Sequence, residues 1–151
     1  MAITANKDFR TFWPPSQEIG VFHNNSSFTE WPISYEVYQG TDYTKGVDLT
    51  WWKNHPNPVS FFMWEGKEGF IGGYDYGQNA GTVHVGDPNK NPTSKLWQFG
   101  PGLQGQNARR KLTDDGKAYV ELMTGAFSNN QPDYSWIQPH SVKDAKNYWY
   151  P

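Results

Sequence analysis

Phe70-Ile71-Gly72-Gly73-Tyr74-Asp75-Tyr76 is followed, across a short polar stretch, by Thr82-Val83-His84-Val85. Both runs are rich in β-branched and aromatic residues and are bounded by turn formers, which is how short antiparallel strands read in one dimension. The same pattern extends outward in both directions. It predicts strands at Glu18–His23, Ile33–Gln39, Val47–Trp52, Val59–Trp64, Phe70–Tyr76, Thr82–Val85, Lys95–Phe99, Ala118–Met123 and Ser141–Tyr150. Between them lie HNNSS, NHPNP, GDPNKNP, GPGLQG, TDDG and SNNQP, all rich in residues that tolerate or pre-set turn dihedrals. Nine short strands predict an all-β, antiparallel β-sandwich of two packed sheets. Helix is expected only as one or two turns around Gln106–Leu112. Residues 1–15, largely polar and ending in Trp-Pro-Pro, read as an extended N-terminal arm, leaving 16–151 as a single domain.

Composition narrows the function. A formal charge of −2, with thirteen scattered Lys and Arg, offers neither the basic footprint of nucleic-acid binding nor a polybasic membrane patch. No apolar run is long enough to span a bilayer. Zero cysteines exclude disulfides, thiol nucleophiles and Cys-based metal sites, and suit a reducing or an oxidising compartment equally. No phosphate loop, dinucleotide fingerprint, zincin helix or nucleophile elbow is present, so no cofactor and no metal is expected. Eight Trp, nine Tyr and nine Phe stand against only 36% hydrophobic residues overall. Rings must therefore fill much of the core, and the surplus points to a carbohydrate partner. Flat ring faces match the C–H faces of a pyranose, while carboxylates and amides take its hydroxyls.

Period-two alternation sorts the candidates. Tyr119, Glu121 and Met123 share one strand face, Val120 and Leu122 the other. Glu121 thus lies either on a lined concavity, where it could accept sugar hydroxyls or act as a base, or on a solvent-facing sheet position. His84 points away from Val83 and Val85, and is exposed if those valines face the core. Asp75 fits either a site or a turn. Trp51 and Trp52 are adjacent and face opposite sides, so one is a platform candidate. Trp52, Trp64, Trp97 and Asp75 are the candidate sugar contacts, with Glu121 and His84 as the candidate catalytic pair.

Several pieces resemble an uncharacterised bacterial family of galactose-mutarotase-like sandwich domains that often precede tetratricopeptide repeats. They are Trp31-Pro32, Ser60-Phe61-Phe62, Tyr74-Asp75-Tyr76, Gly81-Thr82-Val83-His84-Val85-Gly86-Asp87, Lys95-Leu96-Trp97-Gln98-Phe99-Gly100, Leu112-Thr113-Asp114-Asp115, Tyr119-Val120-Glu121-Leu122 and Trp149-Tyr150-Pro151. They run in order over most of the chain. In the wider mutarotase superfamily, a strand Glu near the C-terminus, a loop and a Pro-initiated final strand occur together, and that Glu is the base at the anomeric hydroxyl. Glu121, the loop Ser128–Asp133 and Gln138-Pro139 before Ser141–Tyr150 look like that arrangement. The resemblance implies that Glu121 lies on a concave sugar-facing sheet, with His84, Asp75 and Trp97 as neighbours. The superfamily's acid histidines lie well upstream on a longer sandwich, and His84 is too near Glu121 to be carried over as one of them. The chain therefore resembles the C-terminal part of such a domain.

Three functions follow as expectations. The first is a carbohydrate-recognising module without efficient turnover. The second is a sugar-active enzyme, an aldose epimerase or glycosidase-associated domain, with Glu121 as base and His84 as acid. The third is a structural domain whose aromatic sheet is covered by a homo-oligomer or by the remainder of a larger domain.

Overall fold

The computed structural model describes residues 1–23, 27–91, 93–125 and 136–151. In chain order its strands are β1 (Ala2–Thr4), β2 (Phe9–Phe12), β3 (Ile19–Phe22), β4 (Phe28–Glu30), β5 (Ile33–Ser34), β6 (Val37–Tyr38), β7 (Thr41–Asp42) and β8 (Val47–Asp48). Then come β9 (Val59–Met63), β10 (Phe70–Asp75), β11 (Ala80–Gly86), β12 (Thr93–Gln98), the helix α1 (Leu103–Leu112), β13 (Tyr119–Gly125) and β14 (Asn147–Tyr150). A six-stranded sheet runs β1-β13-β12-β9-β3-β4, and a four-stranded sheet runs β14-β11-β10-β2. The strand pairs in both are antiparallel. Two ribbons, β5-β8 and β6-β7, complete the described sheets. The β10-β11 hairpin packs against β13, placing the four-stranded sheet over one half of the larger one.

The all-β reading therefore holds in its antiparallel form, with one ten-residue helix added. Val120 and Leu122 of β13, Leu96 of β12 and Phe61 and Met63 of β9 are fully or almost fully buried, together with Ile71 of β10. Alternation on β12 and β13 turns one face of the six-stranded sheet toward the core, while β9 is buried on both faces. Aromatic rings do replace missing aliphatics there. Trp13 stacks on Trp31 at 3.8 Å, Phe22 stacks on Tyr38 at 4.1 Å, and Phe61 tilts against both Tyr38 and Phe22.

Several elements differ from expectation. Residues 1–15 are not an arm outside the sheets. Ile3 of β1 pairs with Val120, and β2 pairs residue for residue with β10. Both strands lie beside longer ones, so pairing stabilises sequences too polar and short to signal strand themselves. Ile33–Gln39 splits at Tyr35-Glu36 into β5 and β6, and Gln39 at φ 49° and Gly40 at φ 71° then turn the chain into β7. Val47–Trp52 is strand only at Val47–Asp48, and a short 3-10 turn takes Trp52–Asn54. Ser141–Tyr150 pairs only from Asn147. Helix α1 starts earlier than expected. Gly105 makes this possible, since a Cβ there would meet the Gly100 carbonyl oxygen at 1.9 Å. The loop Ser128–Asp133 lies outside the described residues.

Candidate functional site

The face of the six-stranded sheet turned away from the core carries an uncommon mixture of side chains. Ladder register sets Trp97 of β12 between Glu121 of β13 and Ser60 of β9. One strand further on, the His23 amide donates to the Ser60 carbonyl at 3.4 Å, just past the end of β3. His23, Ser60, Trp97 and Glu121 thus form a row across four adjacent strands. Trp97 and Glu121 are half-buried, as is His23.

Contacts within the row fix its side chains. His23 Nδ1 lies 2.6 Å from Ser60 Oγ, and its ring meets Phe62 and Trp97 edge-on at 5.5 Å and 6.1 Å. Phe99 stands edge-on to Trp97 at 5.6 Å and to Tyr119 at 5.7 Å. Lys95 shares the face through period-two alternation, its ammonium 4.9 Å from the Phe62 ring centre and 5.5 Å from that of Trp97. An open pocket of about 190 Å³ lies against His23, Tyr38, Ser60 and Trp97.

Electrostatics on this face set a neutral imidazole beside charged groups. Burial lowers the His23 pKa below its ordinary value, and the Lys95 charge lowers it further, so the imidazole is neutral near pH 7. Burial also lowers the Lys95 pKa, with the Glu121 carboxylate pulling in the opposite direction. The Tyr119 hydroxyl is raised first by burial and then by Glu121. A neutral imidazole, a carboxylate and an ammonium around an indole can exchange hydrogen bonds with a neutral polyhydroxyl compound.

The other sequence candidates lie elsewhere. His84 is buried, on the core side of β11, and its ring stacks on Trp149 at 3.6 Å. Its Nε2 lies 2.9 Å from Thr124 Oγ1, on the face of β13 opposite Glu121. The valine-in alternative is thus reversed, with Val83 37% exposed, and β13 stands between His84 and Glu121. Asp75 is buried in a turn, accepting from Asn6 Nδ2 and from the amides of Gly77 and Gln78. Trp52 belongs to the core cluster. Its neighbour Trp51 is the half-exposed one, with Lys53 4.6 Å from its ring centre. Trp64 follows β9 on the same outer face as Trp97, edge-on to Phe28 at 4.9 Å. His23, Ser60, Lys95 and Tyr119 are additions that sequence reasoning did not select. Lys95 was recoverable from its alternation with Trp97, whereas His23 depends on a strand end meeting β9.

Among the described residues no group of three or more His, Asp or Glu could hold a metal ion, and no helix is long and apolar enough to cross a membrane. Fold and site together define an antiparallel β protein with two main sheets and a mixed aromatic and polar outer face. The chain belongs to the family described as Domain of unknown function (DUF5107), whose model matches residues 1–151. It is also similar to the crystal structure of a TPR-domain containing protein from Parabacteroides distasonis ATCC 8503, with a TM-score of 0.67 and 19% identity. That similarity covers 98% of this chain but spans only 22% of the other protein's length. At this identity it speaks to the fold alone.

Proposed function

We propose that this domain recognises carbohydrate through the outer face of its six-stranded sheet, as a galactose-mutarotase-like module that binds without efficient turnover. The observation that carries the reading is the row His23, Ser60, Trp97 and Glu121, an aromatic ring flanked on both sides by hydrogen-bonding groups. A pyranose lying against Trp97 would place its hydroxyls within reach of Glu121 on one side and the His23 imidazole on the other. Resemblance to mutarotase-like sequences supports the choice of sugar over other neutral ligands, and the similar solved protein carries a TPR domain, the expected companion of such sandwiches. Binding is favoured over epimerisation because His84, the acid expected for the enzyme reading, faces the core on the far side of β13 from Glu121.

Glycan-array screening of the wild-type chain should give a saccharide signal that Trp97→Ala reduces at least about tenfold and Glu121→Gln largely keeps. Polarimetry on glucose and galactose should show no acceleration of mutarotation. An acceleration lost in Glu121→Gln would replace recognition by catalysis, and a silent array would remove the sugar reading.

A further inference from the structure

Trp64 sits at the opposite end of β9 from Ser60, and the even-numbered residues 60, 62 and 64 project toward the same outer face. Its ring borders a second open pocket, of about 160 Å³, lined also by Ser16, Glu18, Ile19 and Glu65. The pocket is anchored from below. The buried Gln17 side chain donates to the carbonyls of Ile19 and Trp64 at 2.5 Å and 2.9 Å, joining the segment before β3 to the end of β9. Glu65 takes a left-handed φ of 48°, which turns the chain away and leaves its side chain on the exposed rim. Phe28 and Ile19, 48% and 41% exposed, border this end of the face.

Each pocket has a tryptophan in its wall, and a carboxylate lies beside each ring, across the β12-β13 ladder for Trp97 and in the pocket lining for Trp64. The ring-and-carboxylate pairs are Trp97 with Glu121 and Trp64 with Glu18 and Glu65. Four residues of strand separate Ser60 from Trp64, or roughly 13 Å. That distance exceeds one sugar ring and matches a short oligosaccharide. Between the stations, the His23 edge and the Lys95 ammonium lie over Phe62, giving a polar surface along the path.

Resting on the carbohydrate reading above, we infer that the ligand is an extended glycan chain lying along β9, with Trp97 and Trp64 as two separate ring-binding stations. A single sugar occupies the Trp97 station alone. A chain long enough to reach both gains affinity at the second without loss at the first.

Calorimetric titration with cello-, laminari-, manno- and xylo-oligosaccharides of increasing length tests this directly. For the series that binds, affinity should rise about tenfold once the chain spans both stations and then level off. Trp64→Ala should erase that rise while leaving the mono- and disaccharide affinity unchanged, and Trp64→Tyr should restore most of it. Thermal melts report whether the variants are folded. Glu65→Gln, a change on the exposed rim, gives the same readout where the alanine variant fails to fold, and should also diminish the rise. An affinity independent of chain length, or a rise that survives both Trp64→Ala and Glu65→Gln, overturns the two-station inference while leaving recognition at Trp97 intact. Absence of binding in every series, short or long, instead overturns the carbohydrate reading itself and the inference with it.

Discussion

His55 and His23 have similar partners and opposite surroundings. Each imidazole is hydrogen-bonded to a hydroxyl, Tyr43 at 3.0 Å for His55 and Ser60 at 2.6 Å for His23, and each has aromatic rings against its edge. His55 is fully buried, and its second nitrogen is also engaged, 2.7 Å from the Leu49 carbonyl. Since that carbonyl can only accept, Nε2 carries the proton and Nδ1 accepts from the Tyr43 hydroxyl. Burial pushes His55 down to about 4 and Tyr43 up to about 12. His23, half-exposed beside a pocket, keeps part of its ring available. The same chemistry is a structural pin when closed over, and where it is left open we propose it as a recognition group. Hydrogen bonding alone does not distinguish the two.

The largest expected effect tests whether the His55 pin is held by backbone as well as side chains. Gly100 has φ 70°, and a Cβ there would lie 1.7 Å from the His55 carbonyl oxygen. Neither the conformation nor the space admits a side chain, so Gly100→Ala should cost about 4 kcal/mol or more in urea unfolding, or prevent folding. A loss under about 1 kcal/mol would show that the loop around His55 yields easily, and the contrast with His23 would weaken.

Acid provides the next test. The folded-state pKa of His55 lies below its ordinary 6.5, so its stabilising contribution is complete above pH 6.5 and is lost as pH falls toward 4. At about 1.4 kcal/mol for each pH unit in that window, the loss is about 3 kcal/mol. Unfolding free energies measured from pH 7 to pH 4 should fall by at least this much. The fall should shrink in His55→Gln and persist in His23→Gln. A flat profile in the wild type would contradict the closed, neutral state of His55.

How far such a contrast is legible in sequence depends on what alternation encodes. Period two correctly set Val120 and Leu122 against Tyr119, Glu121 and Met123, because one face of β13 is buried in the core. It could not say which face of β11 meets that core. His84 lies between two valines, and simple hydrophobicity favours the wrong side. Stacking on Trp149 and bonding to Thr124 make a buried polar ring acceptable there, and both partners arrive from distant strands. Trp51 and Trp52 could be split between surface and core, but only the 3-10 turn after β8 decides which is which. The row at the candidate site was half visible. Trp97 and Glu121 stood out as ring and carboxylate, whereas Ser60 reads as an ordinary small strand residue. His23 lies in a segment whose role depends entirely on pairing with β9. Residues 1–15 show the same limit, since β1 and β2 owe their order to the neighbours they pair with.

The smallest expected change in stability belongs to His23→Gln, and it separates the two histidines most cleanly. Glutamine keeps a donor and an acceptor, and the site is open enough for water to complete its hydrogen bonds, so the unfolding free energy should change by less than about 1 kcal/mol. At position 55 the same substitution places an amide in a closed site shaped by Tyr43, Leu49 and Phe61, where its groups cannot all find partners, and the cost should be about 2 kcal/mol or more. Ligand binding should rank them the other way. His23→Gln alters the shape and hydrogen-bonding edge beside Trp97 and should weaken glycan binding about tenfold, whereas folded His55→Gln should bind as the wild type does. Equal stability losses at both positions would mean that His23 is also a pin, and that the open edge beside Trp97 serves the fold instead of a ligand.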